Sequence, residues 1–105
     1  MRHNYINITK NIVLKHLSTQ HFNVFLFGSR ACGNSKKMSD IDVGILGNEK
    51  FSLKLKFAIE EEIDESIVPF KVDIIDFFDV DETFKKEALK QTINWKSTNT
   101  NILNS

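Results

Sequence analysis

No cysteine pair exists in this chain: Cys32 stands alone among 105 residues. That excludes an internal disulfide framework and suits a reducing compartment. Charge of one sign is also missing. Fourteen basic residues balance fourteen acidic ones, so the basic excess of a bulk nucleic-acid binder is absent. No apolar run is long enough to span a membrane. The first residues lack an apolar signal-peptide core, because Arg2, His3, Asn4, Asn7 and Lys10 interrupt it. Together these point to a cytoplasmic protein. Repeats, linkers and low-complexity boundaries are missing too, so the length reads as one domain with one core. His3, His16 and His21 have no metal-ligand spacing. Phenylalanine is plentiful, at nine residues. Most of it belongs in the core, and some is available for a partner surface.

The pattern along the chain is α/β. Residues 1–8 read as a loosely anchored start. Thr9 reads as an N-cap, and Ile12, Val13, His16 and Leu17 as the stripe of a helix at about 10–19. Val24-Phe25-Leu26-Phe27 is a short, continuously apolar strand that Gly28 ends. A helical turn over 29–33 and a polar loop through Lys36 and Lys37 lead to a second strand, 40–46. Ser52 caps a helix whose apolar positions run from Leu55 to Ile67, closed by Pro69. A third strand covers 72–77. Asp81 caps a last helix reaching about Trp95, and 97–105 reads as a disordered tail. Three strands covered by helices result.

Chemistry concentrates between Phe27 and Val43. Strand alternation puts Asp40 and Asp42 on one face and Ile41 and Val43 on the other. Two adjacent like charges repel, and a divalent cation reverses that penalty, carboxylate oxygen being the preferred ligand of magnesium. A third carboxylate, Asp73, sits inside the next apolar strand, where an unpaired charge is expensive. If the two strands are neighbours, Asp40, Asp42 and Asp73 fit a two-magnesium site for in-line displacement at a phosphate. Asp76 faces the other way, as a supporting or structural residue. Gly28-Ser29 accounts for itself as a strand end and helix cap. It is also suited to cradle phosphates, because glycine allows close backbone approach and the following amides point at an anion. A P-loop fails, since Asn34-Ser35 stands where Lys-Ser/Thr belongs. A calcium loop fails at Gly44 and Phe51. Arg30 is one of two arginines. Its alternatives are a surface ion pair or a contact to phosphate or partner, and its place in the loop favours the contact. Cys32 reads as a small packed residue.

Gly28-Ser29-Arg30-Ala31-x-Gly33, followed by Ser39-Asp40-Ile41-Asp42 and later Val72-Asp73-Ile74-Ile75-Asp76, resembles the signature of the minimal nucleotidyltransferases, the MNT branch of the DNA polymerase β superfamily. The likeness covers residues 9–96. It implies a polymerase-β-type nucleotidyltransferase fold, a small mixed sheet flanked by helices, with the domain at 1–96. It further implies that Gly28, Ser29 and Arg30 bind the nucleotide and that Asp40, Asp42 and Asp73 bind Mg2+ and carry catalysis, with ATP as substrate. Many members have a second arginine where this chain has Cys32, which weakens a two-arginine clamp. The catalytic core occupies nearly the whole length, so the acceptor is expected on another molecule. The family resemblance implies that this is a HEPN-domain toxin, AMP passing to one of its tyrosines from an antitoxin. Two other readings stand beside it: the core subunit of a small-molecule nucleotidyltransferase, and a non-catalytic antitoxin that masks its partner.

Overall fold

A computed structural model describes residues 4–18, 21–32 and 40–97. In chain order the elements are α1 (Tyr5–Leu17), β1 (Asn23–Phe27), α2 (Ser29–Cys32), β2 (Ile41–Leu46), α3 (Leu53–Asp64), β3 (Val72–Asp76), α4 (Glu82–Ala88) and β4 (Ile93–Lys96). The strands form one mixed sheet in the order β3-β2-β1-β4. The β1 strand runs antiparallel to both β2 and β4. Strand β3 lies parallel to β2, because α3 carries the chain back across the sheet between them.

Alternation along the strands creates two apolar layers. Val24 and Leu26 of β1, Ile41, Val43 and Ile45 of β2, and Ile74 of β3 join Val13 and Leu17 of α1 and Ile59 and Ile63 of α3 in the larger core. The opposite face carries a smaller, aromatic cluster of Phe25, Phe27, Leu46 and Phe77, with Ala88 and Leu89 against it. Strand β1 is therefore buried on both faces, which explains its unbroken apolar sequence. The Phe77 ring stands edge-on to those of Phe25 and Phe27, at centroid distances of 5.0 and 5.2 Å, favourable aromatic geometry.

The helix boundaries differ from the sequence reading in three places. Helix α1 starts at Tyr5, capped by Asn4, whose side chain accepts from the Asn7 amide. Thr9 lies inside the helix, fully buried, its hydroxyl donating to the Tyr5 carbonyl at 2.8 Å. A hydroxyl satisfied within the helix is compatible with burial, so Thr9 packs where a cap was expected. Helix α3 ends at Asp64, and the exposed Ile67 falls outside it. The last helix stops at Ala88. Residues 93–96, including Trp95, form a fourth strand pairing with β1. Apolar residues at 88, 89, 93 and 95 satisfy a helix and a turn-plus-strand almost equally. The open edge of β1 decides between them, because its backbone groups need partners. Ser52 and Asp81 cap α3 and α4 as expected. The expectations for the 34–37 loop and for most of the 97–105 tail lie outside the described residues.

Candidate active site

The site is built where β1, β2 and β3 lie side by side. Phe27 of β1 pairs with Asp42 of β2, and Asp42 pairs in parallel register with Asp73 of β3. Both carboxylates therefore project from the face that carries the aromatic cluster. Asp40, one pleat before Asp42 and just ahead of β2, is exposed. This neighbourhood raises the Asp42 pKa. Burial is the main cause, followed by the charges of Asp73 and Asp40, with Lys71 opposing them. The Lys71 ammonium reaches Asp73 at 3.6 Å, an exposed pair that offsets little of the repulsion. Lys71 did not emerge from the sequence as a site residue. Its position two residues before Asp73, on the same side of an extended segment, was the available signal.

Gly28 completes one wall. Its φ of 78° is in the left-handed region, which β-carbon sterics discourage in other residues. A Cβ here would also overlap the Asp42 carboxylate. The turn thus needs glycine twice, for its conformation and for its approach to Asp42. The Ala31 amide donates to the Gly28 carbonyl at 3.1 Å, closing the first turn of α2. Ser29 opens α2, while its side chain and that of Cys32 lie outside the described residues. The Arg30 guanidinium sits 4.4 Å from the ring centroid of Phe70, a cation–π contact. Asp76, on the opposite face from Asp73, accepts from the Phe51 amide at 2.8 Å and the Phe78 amide at 3.0 Å. Those bonds tie the α3 entrance to the end of β3, a structural task.

The donor set can be tested against a metal. Among the described residues no group of three or more His, Cys, Asp or Glu side chains closes as a ready cage. The chemistry of the set nevertheless fits a hard divalent cation. Asp40, Asp42 and Asp73 offer only carboxylate oxygen, and the Asp42 pKa is raised first by burial and then by the charges of Asp73 and Asp40. A bound cation would relieve that repulsion.

The sequence pattern described as polymerase beta, nucleotidyltransferase matches residues 8–101. A Haemophilus influenzae protein named "Probable protein adenylyltransferase MntA" is 34% identical over 65 residues, covering 62% of this chain and 57% of that protein. The alignment thus spans little more than half of that relative. Among solved structures, a chain of a toxin–antitoxin crystal structure with AMP-PNP superposes with a TM-score of 0.67 at 19% identity, over 86% of this chain and 74% of that one. A chain from the complex of tri-AMPylated Shewanella oneidensis HEPN toxin with MNT antitoxin gives 0.62 at 17%, over 88% and 72%. Identities this low establish a common fold, the one the motif led us to expect.

Proposed function

The chain belongs to the polymerase beta nucleotidyltransferase family, and from that premise we propose that it is an antitoxin that transfers AMP from ATP to a tyrosine hydroxyl of a HEPN-domain toxin. Members of this family work on nucleotides with a divalent metal. The observation that carries the proposal is the register of Asp42 against Asp73 with Gly28 closed over Asp42. It puts a phosphate-compatible turn and a paired carboxylate site on one sheet face. The MntA relative and the toxin–antitoxin structures supply the partner class.

In this reading Asp40, Asp42 and Asp73 would hold two Mg2+ ions. The ions would supply charge neutralisation at the phosphates and lower the cost of ionising the acceptor. The Gly28 turn admits the phosphates close to the backbone, and Ser29 begins the helix whose amides face them. Asp73 takes the proton of the tyrosine hydroxyl as its oxygen bonds to the α-phosphorus. The bond to the bridging oxygen breaks, and pyrophosphate carries away the electron pair. Arg30, stacked on Phe70, follows the Gly28 turn and lends its charge to the phosphates or to the partner.

The test is direct. The protein is incubated with α-labelled ATP, Mg2+ and a HEPN-domain protein encoded beside it. Label should appear on a tyrosine of the partner and fall about a hundredfold or more in Asp40→Asn and Asp42→Asn. Neutralisation of the partner without label, unchanged in both variants, would establish masking by contact instead.

A further inference from the structure

Strand β3 is an edge of the sheet. In the order β3-β2-β1-β4 it has a neighbour only on the β2 side. The Ile41 amide donates to the Lys71 carbonyl at 2.9 Å, and the Phe77 amide donates to the Ile45 carbonyl at 2.8 Å. Backbone groups alternate along a strand, so residues 71, 73, 75 and 77 face β2. Val72 and Ile74 then turn their amides and carbonyls outward, and among the described residues no strand pairs with them. Such an edge is a template for another extended segment. Between those two residues stands Asp73, which takes the acceptor's proton in the proposed reaction. A residue opposite Asp73 on an added strand would share its face, with β-carbons about 5 Å apart. Asp42, in register with Asp73, projects to that face too.

On the other face of β3, Val72 packs against the larger core. It also lines a cavity of about 220 Å³ with Glu60, Ile63 and Asp64 of α3. Lys71 is at the same cavity, but its ammonium reaches Asp73 at 3.6 Å, so the α3 carboxylates set the charge there. On an added strand, the residue next to the one facing Asp73 lies on this side, opposite Val72. A long basic side chain in that place lays its stem along Ile63 and its charge against Glu60 and Asp64. We propose that the β3 edge receives the acceptor. An extended segment of the partner protein adds as a strand, its tyrosine opposite Asp73 and an adjoining lysine or arginine in the α3 cavity. Main-chain bonds to Val72 and Ile74 supply affinity, and the basic residue selects which tyrosine is modified. This rests on the nucleotidyltransferase reading and adds to it how the acceptor is held.

Residue-resolved amide exchange of the whole chain, alone and with the HEPN-domain protein encoded beside it, tests this. The Val72 and Ile74 amides should exchange fast in the chain alone and slow at least about tenfold with the partner. The Asp73 and Ile75 amides, which face β2, should change less. Labelling kinetics give a second readout. Val72→Pro removes an outward donor and no bond to β2, and should raise KM for the partner about tenfold. Glu60→Gln combined with Asp64→Asn should do the same, and it tests the cavity even if Val72→Pro unfolds. Both variants should bind AMP-PNP as the wild type does. Label transferred without slowing at Val72 and Ile74 overturns the inference, as does KM unmoved in both variants. So does slow exchange at those amides in the chain alone, which would mean that a second copy or the chain's own segment holds the edge. A wild-type protein that never labels the partner overturns the nucleotidyltransferase reading itself.

Discussion

Asp42 is held at a cost to the fold. Burial and the charges of Asp73 and Asp40 raise its pKa, so the folded chain binds the Asp42 proton more tightly than the unfolded chain does. Below the unfolded carboxyl value of about 4 the residue is protonated in both states and carries no penalty. As pH rises through the folded value the penalty develops, and above that value it is complete. Asp42→Asn in metal-free buffer should therefore raise Tm by a few degrees at pH 7, with the gain shrinking toward pH 3. Thermal melts across pH read this directly. Millimolar Mg2+ should raise the wild-type Tm and leave the variant nearly unmoved. A gain that persists undiminished at low pH would place its origin outside the carboxylate charge. Gly28 is the companion case. Gly28→Ala places a β-carbon in left-handed backbone and against Asp42. We expect a loss of about 1–2 kcal/mol in urea unfolding, together with loss of AMP-PNP binding.

Among the elements, the β1–β2 pair positions the site, and its packing is close. Gly44 of β2 lies opposite Phe25 of β1, and a Cβ there would meet the rings of Phe25 and Phe77. The glycine lets those rings close over the strand just beyond Asp42. Gly44→Ala should cost about 1–3 kcal/mol, seen as a lower denaturant midpoint with little change in slope. A neutral outcome would mean that the two rings have room to move. Helices α1 and α3 lie behind the sheet and are tied by Glu62, which accepts from Lys15 and bonds His16. Those partners lower the Glu62 pKa, so their small stabilisation is present above the unfolded carboxyl value and disappears as pH falls through the folded one.

At the scale of the whole molecule, the fourth strand joins the C-terminal segment to the sheet that bears the site. Trp95, the single tryptophan, is half-buried and packs against the larger core. Its fluorescence therefore reports on the far edge of the same sheet. Unfolding followed by Trp95 emission and by far-ultraviolet circular dichroism should give one coincident transition, as for a single cooperative domain. An earlier transition at Trp95 would mean that β4 detaches first. Among the described residues, no helix is long and apolar enough to cross a membrane.

Local patterns in the sequence were enough to nominate the candidate site. Gly28 and the carboxylates at 40, 42 and 73 were legible because alternation along a strand is a local rule, and because charges inside apolar runs call for an explanation. Caps at Ser52 and Asp81 were legible for the same local reason. Whatever depends on residues distant in the chain emerged with the folded arrangement. It set β3 beside β2 in the register that faces Asp73 to Asp42. It buried Thr9 and moved the first cap to Asn4. It laid Arg30 on Phe70. It also drew residues 93–96 into the sheet as β4, since an apolar segment without strong local preference takes whichever partner leaves the fewest backbone groups unpaired.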